Sequence, residues 1–271
     1  MEKTIITAHS GCEDTETDSM ESIDLALKYG AEAIEIDVRV DEEGELRISH
    51  NEESQKEYQK KLTFREVIEK IRDTNLLVNC DIKEQEALQK TIEEAEQLSF
   101  PHDRLILSGC TTPEQLTEDE SLVEKGNFFL NVEEIMRFVH NQRKSDENTE
   151  QEQQKDSDSH KHRHHKKSDE DNEQHQADSD SHKHQKDDDN AEDVVRCCQE
   201  MKVAGVNLPK WMIGSKVVTA LQEAAIPISV WTVNESDVVK RCLEAGVYNI
   251  TTRKVQQAIE LRDSFYSEKG E

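Results

Sequence analysis

Short apolar runs, rich in β-branched residues, recur along the chain and alternate with stretches of helical period. The runs predict nine strands: Thr4–His9, Ala33–Val40, Leu46–His50, Leu76–Ile82, Arg104–Ser108, Asn127–Asn131, Gly205–Leu208, Pro227–Val233 and Tyr248–Thr251. Between most of them lie amphipathic helices with readable ends. Ser19 opens one that runs through Ile23 and Leu27 to a C-cap at Gly30. Thr63 and Glu66 have the spacing of a capping box ahead of Val67, Ile68 and Ile71. Ala191–Val203, Ser236–Ala245 and Lys254–Arg262 complete the set.

Loop length orders the strands. Parallel neighbours need a crossover of about a dozen residues or more. Only Asp41 to Glu45 separate Ala33–Val40 from Leu46–His50, so those two form a hairpin. Setting the hairpin strand aside leaves eight βα units, which predict a closed (β/α)8 barrel with a β-hairpin excursion after strand 2. An open doubly wound sheet is the competing architecture, but no glycine-rich phosphate loop follows the first strand.

One segment breaks the pattern. Residues 145–190 contain no hydrophobic residue except Ala177, while holding 15 carboxylates, 7 Lys or Arg and 7 His, and Asp-Ser-Asp-Ser-His-Lys-His occurs twice in it, at 156–162 and 178–184. The whole 271-residue chain is only 33% hydrophobic, but the 225 residues outside this block reach about 39%, near ordinary folded domains. We therefore read a barrel domain over 1–271 carrying a disordered acidic, His-rich insertion over 141–190, after strand 5. A loop after a barrel strand opens on the C-terminal face, so the insertion is expected beside the active site. The insertion is open to two readings: a solvated acidic loop, or a weak Zn²⁺, Ni²⁺ or Cu²⁺ chelator through His160, His162, His164, His165, His182 and His184.

Charge and cysteines narrow the partners. With 34 Lys and Arg against 60 Asp and Glu, the formal charge is −26, which opposes nucleic acid and anionic membranes. No run approaches the ~20 apolar residues of a membrane helix, and the first residues lack a secretory pattern. The six scattered cysteines show neither zinc-ligand spacing nor a disulfide framework. A cytoplasmic, reduced protein is expected, without integral membrane association and with its oligomeric state undetermined.

The chemistry concentrates at strand ends. His9 ends the first strand. Glu35 and Asp37 lie two apart on the second, so the strand period puts both on one face with Ile34, Ile36 and Val38 on the other. In a barrel the apolar set packs under the helices and the two acids point inward. Asp81 and Lys83 repeat the arrangement, and the hairpin returns His50 to the same rim. Adjacent inward acids repel one another and are costly to desolvate unless a cation sits between them. Oxygen-only ligands favour Mg²⁺ or Ca²⁺.

These residues together resemble the glycerophosphodiester phosphodiesterases. His9-Ser10-Gly11 is similar to the family's His-Arg-Gly, and Gly30 to Val38 to its Gly-Ala-Asp-x-Ile-Glu-x-Asp-Val. The stretch Asp41–Asn51 resembles the segment ending in His-Asp, and Asn79-Cys80-Asp81-Ile82-Lys83 the Asn-x-Glu-x-Lys strand. Gly205 to Pro209, Val230 to Asn234 and Gly246 to Thr252 continue the match. The resemblance implies a barrel that hydrolyses a small-molecule glycerophosphodiester to glycerol 3-phosphate and an alcohol with one divalent cation, Mg²⁺ or Ca²⁺. By position it implies Glu35, Asp37 and Asp81 as metal ligands, His9 and His50 as the catalytic acid/base pair, and Lys83 and Trp231 as substrate-binding residues. Four positions depart from the family pattern: Ser10 stands for Arg, Thr17 for Glu, Asn51 for Asp and Asp81 for Glu. A barrel that binds a phosphodiester or a metal without turnover, a cyclising lyase, and a metal buffer acting through the insertion are the alternatives.

Overall fold

All nine apolar runs form strands in the computed structural model, which describes residues 3–158 and 190–270. They are β1 (Ile5–Ala8), β2 (Ala33–Val40), β3 (Leu46–Ile48), β4 (Leu77–Ile82), β5 (Leu105–Gly109), β6 (Asn127–Asn131), β7 (Gly205–Pro209), β8 (Ile228–Trp231) and β9 (Asn249–Thr252). Eight of them pair in parallel in the order β1-β9-β8-β7-β6-β5-β4-β2, and β1 pairs with β2 to close the ring. The ninth, β3, is antiparallel to β2, with Val38 opposite Ile48 and Val40 opposite Leu46. The architecture is a (β/α)8 barrel with a hairpin on its second strand, as the loop lengths require.

Strand alternation divides the barrel into two environments. Ile34, Ile36 and Val38 of β2 and Val78, Cys80 and Ile82 of β4 are buried outward, in the core that the barrel shares with its helices. The inward set is polar. Thr7 Oγ1 donates to Asn249 Oδ1 (2.7 Å), Asn249 Nδ2 to Ser229 Oγ (2.9 Å), and Ser108 Oγ to Asn79 Oδ1 (2.9 Å). Each inward polar group in this set finds a partner from a neighbouring strand, which is the condition for burying it. These bonds couple adjacent strands and hold the barrel interior rigid beneath the pocket.

The helix ends follow the sequence signals. Ser19 Oγ accepts from Ser22 N, and Gly30 closes that helix with φ 80°. Both hydrogen bonds of the Thr63–Glu66 capping box are formed. The edge of β3 is covered by the following segment, through Ile48 N to Leu62 O (2.8 Å) and an Arg47–Thr63 bridge.

The polar block follows directly on a helix. The helix that follows β6 runs Val132–Asp158, so it continues into the first residues of the polar block. Val132, Ile135 and Val139 bury its first turns. Beyond them no Gly or Pro interrupts a run rich in Glu, Gln, Lys and Arg, all good helix formers. Moreover, Val132 follows Asn131 directly, so no loop separates strand from helix on the C-terminal face. Arg143 of that helix bonds Asn190 and Asp193, at the start of the helix Ala191–Glu200. The six candidate chelating histidines lie outside the described residues. No helix among the described residues is long and apolar enough to cross a membrane.

Candidate active site

At the C-terminal ends of the barrel strands lies a cavity of about 270 Å³. It brings together all seven residues singled out from the sequence: His9, Glu35, Asp37, His50, Asp81, Lys83 and Trp231. Its other walls are Asn79, Ser108, Gly109, Asn131, Asn207, Thr232 and Thr251. Most of these are polar residues within or just beyond strand runs, a signal that the sequence carries but that the pairing of carboxylates outshines.

Register assembles the acids. Asp37 of β2 stands opposite Asp81 of β4, and Glu35 opposite Asn79 one inward position below. As a result, one oxygen from each of Glu35, Asp37 and Asp81 lies within 4.8 Å of the others. Lys83 compensates two of them, with Nζ 2.5 Å from Asp37 Oδ1 and 2.7 Å from Asp81 Oδ2. Glu35 is left with less. Its side chain is 10% exposed, and its nearest basic group is His9 Nε2, at 3.9 Å from Oε1. Burial, then the charges of Asp81 and Asp37, push the Glu35 carboxyl well above the ordinary range. Burial also raises Asp81, against the opposing charge of Lys83. A nearly buried carboxylate without a strong partner, beside two more, fits a divalent cation. An all-oxygen donor set suits a hard ion.

Gly109 makes this cluster possible. A Cβ there would lie 2.1 Å from Asp81 Oδ1 and 2.4 Å from Ile82 O, and φ is +78°. The last residue of β5 therefore packs its bare Cα against Asp81, a requirement the sequence gives no hint of.

The two histidines flank the acids from different loops. His9 Nδ1 is 3.0 Å from the Ser10 carbonyl. Arg253 Nε approaches the same nitrogen at 3.4 Å; donation to the carbonyl, the shorter of the two contacts, puts the proton on Nδ1 and leaves the Nε2 lone pair facing Glu35 and the cavity. Burial pushes the His9 pKa below its ordinary value, and Arg253 acts in the same direction. His50 reaches the rim at the end of the hairpin. Its Nδ1 lies 3.3 Å from Asp37 Oδ2, and its side chain is 65% exposed. The His50 loop is tied to the His9 loop through Asp18, whose Oδ1 accepts from Ser10 Oγ (2.9 Å) and whose Oδ2 accepts from His50 N (3.1 Å). Trp231 ends β8, 40% exposed on the opposite wall.

The four departures are placed as follows. Ser10 is buried and bonded to Asp18, outside the cavity wall. Thr17 lies against Gly11. Asn51 is exposed and receives the Ser49 hydroxyl on its backbone carbonyl (2.9 Å). Asp81 joins the acid cluster despite its shorter side chain. One residue that the sequence reading missed is Arg253, after β9. Its Nε lies 3.2 Å from Ser10 O and 3.4 Å from His9 Nδ1.

No protein-family model matches the sequence, and no curated protein matches it. Solved structures do match. A glycerophosphodiester phosphodiesterase from Thermotoga maritima superposes with a TM-score of 0.63 at 18% identity, over 96% of this chain and 99% of that one. One from Agrobacterium tumefaciens gives 0.61 at 12%, over 94% and 98%. A phosphodiesterase from Oleispira antarctica, in complex with the product sn-glycerol 3-phosphate, gives 0.61 at 15%, over 96% and 97%. The barrel of this chain is thus a fold seen, over nearly its whole length, in glycerophosphodiester phosphodiesterase structures.

Proposed function

We propose that this protein is a metal-dependent phosphodiesterase that hydrolyses glycerophosphodiesters to glycerol 3-phosphate and an alcohol. The observation that carries the reading is the convergence of two histidines, from separate loops, on a three-carboxylate cluster inside one cavity. The similar structures include glycerophosphodiester phosphodiesterases, and one phosphodiesterase among them is in complex with this product.

In this reading Glu35, Asp37 and Asp81 would hold Mg²⁺ or Ca²⁺, which would supply positive charge to the phosphate oxygens. His9 is the base. Its neutral Nε2 removes the proton from a glycerol hydroxyl, whose oxygen attacks phosphorus and forms a cyclic phosphate. His50, oriented by Asp37 through Nδ1, donates a proton from Nε2 to the departing alcohol oxygen as its bond to phosphorus breaks. Water then opens the ring with the two roles exchanged, releasing glycerol 3-phosphate and restoring both histidines. Lys83 faces the phosphate while keeping Asp37 and Asp81 in place, and Trp231 offers an apolar wall to the rest of the substrate.

The test is release of glycerol 3-phosphate from glycerophosphocholine, glycerophosphoethanolamine and glycerophosphoglycerol in Mg²⁺, Ca²⁺ or EDTA. Turnover is expected to need metal and to fall at least about 100-fold in His9→Ala and in His50→Ala, the usual scale of acid/base catalysis. No turnover of any of the three diesters by folded, metal-supplemented protein, or full activity in both variants, would refute the assignment.

A further inference from the structure

We infer that Arg253 is the anion-binding residue of this site, gripping the phosphate of the substrate from the loop after β9; this rests on the phosphodiesterase reading above. The cavity is short of positive charge. Three carboxylates line it, and Lys83 is already held by two of them, at 2.5 and 2.7 Å. Other cations that follow these strands are paired as well: Arg39 with Glu84 (2.7 Å), Lys210 with Glu235 (2.6 Å) and Lys254 with Asp14 (2.8 Å). Ser10 contributes no charge and turns its hydroxyl to Asp18. Arg253 is different. Among the described residues no carboxylate pairs with it, and only its Nε is engaged, by the Ser10 carbonyl and at the edge of the His9 ring. Both terminal nitrogens are left to donate.

The loop also holds this residue firmly. Arg253 N donates to Asn234 Oδ1 (2.9 Å), and Arg253 O accepts from Glu13 N (2.8 Å). With Nε fixed as well, the fork is pre-oriented beside the base, and a planar fork suits two oxygens of one phosphate. Loops after the seventh and eighth strands are where (β/α)8 barrels commonly seat phosphate, and β9 is the eighth strand of this ring. The charge therefore sits beside His9, on the Nδ1 side of its ring.

The experiment titrates the full-length, Mg²⁺-loaded protein with sn-glycerol 3-phosphate, and separately with inorganic phosphate, by calorimetry. KM and kcat are measured in parallel on the diester panel. In Arg253→Ala the dissociation constant for both anions is expected to rise about 10- to 100-fold, the scale of a charge-assisted hydrogen-bond pair, with KM rising alongside. Arg253→Lys should fall between, keeping the charge without the fork, and Arg253→Gln should behave like Ala if charge is what matters. Wild-type affinity for both anions in Arg253→Ala overturns the inference, even if the enzyme turns over normally. So does a loss confined to kcat, which would make Arg253 a positioning residue for His9, and so does a wild-type protein that binds neither anion. Anion binding that depends on Arg253 in a protein that hydrolyses no diester would leave this inference standing and remove the phosphodiesterase reading.

Discussion

Lys83→Met separates the electrostatics of the site from its chemistry. Lys83 Nζ bridges Asp37 and Asp81, whose side chains are 4% and 23% exposed. Burial disfavours the ammonium, but the charges of Asp81 and Asp37 outweigh it and raise the Lys83 pKa. A lysine raised on folding contributes its stabilisation fully below its unfolded pKa and loses it only as pH rises through the folded value, so at pH 7 the whole effect is present. Removing one partner of a buried charge cluster costs about 3–5 kcal/mol. Water reaching Asp81 argues for the lower end, about 3 kcal/mol. At about 2–4 °C per kcal/mol for a chain near this size, the melting temperature in EDTA should fall by about 6–12 °C. Magnesium should reverse much of that fall, because the bound ion takes over the role of the missing ammonium. Saturation at about 100 times Kd stabilises by about 2.7 kcal/mol. The assay is thermal unfolding of both proteins in EDTA and in saturating Mg²⁺, followed by circular dichroism. The expected result is a larger Mg²⁺-induced shift in Lys83→Met than in wild type. Equal melting temperatures in EDTA, or equal Mg²⁺ shifts, would refute the view that Lys83 and the ion share the same two carboxylates.

Two further outcomes follow from the same cluster. Gly109→Ala puts a Cβ 2.1 Å from Asp81 Oδ1 in a backbone at φ +78°, and should cost about 2–5 kcal/mol from left-handed strain plus overpacking; calorimetric unfolding together with a weakened Mg²⁺ dissociation constant would show it, and an unchanged melting temperature would contradict it. Because burial, Asp81 and Asp37 raise the Glu35 carboxyl, the proton must leave before the ion binds, so Mg²⁺ affinity should climb with pH, by up to about tenfold per unit per proton released. In EDTA the sign reverses for stability: a carboxyl raised on folding stabilises at low pH and loses that contribution as pH rises through its folded pKa. Titration calorimetry and thermal melts between pH 5 and pH 9, a range of about four units around the region where raised carboxyls titrate, would show both slopes, and a Mg²⁺ affinity independent of pH would contradict the placement of Glu35 among the ligands.

The strands and most of the candidate site were legible because period two is a local property. Once Ile34, Ile36 and Val38 must be buried outward, Glu35 and Asp37 have nowhere to point but inward. The five-residue gap after Val40 likewise allowed only a hairpin, and that hairpin carries His50 to the rim. What remained hidden depends on neighbours distant in sequence. Gly109 matters because Asp81 lies against it, and Arg253 because β9 pairs with β1, bringing residue 253 to residues 9 and 10. Neither has a local pattern that marks it. How far the helix after β6 runs past its buried turns into the polar block, to Asp158, is likewise not marked by composition.

By itself, then, the sequence determined which residues face the inside of a barrel and which chemical groups its strand ends present, because alternation, capping and loop length are set by adjacent residues. Tertiary structure decided how those groups meet. The register of β2 against β4 puts Asp37 beside Asp81, the Asp18 bridge joins the two histidine loops, and closure of the ring sets Arg253 next to His9. Those distances arise only when strands far apart in the chain pair, since hydrogen-bond register between strands is fixed by the packing of the whole ring rather than by any one segment.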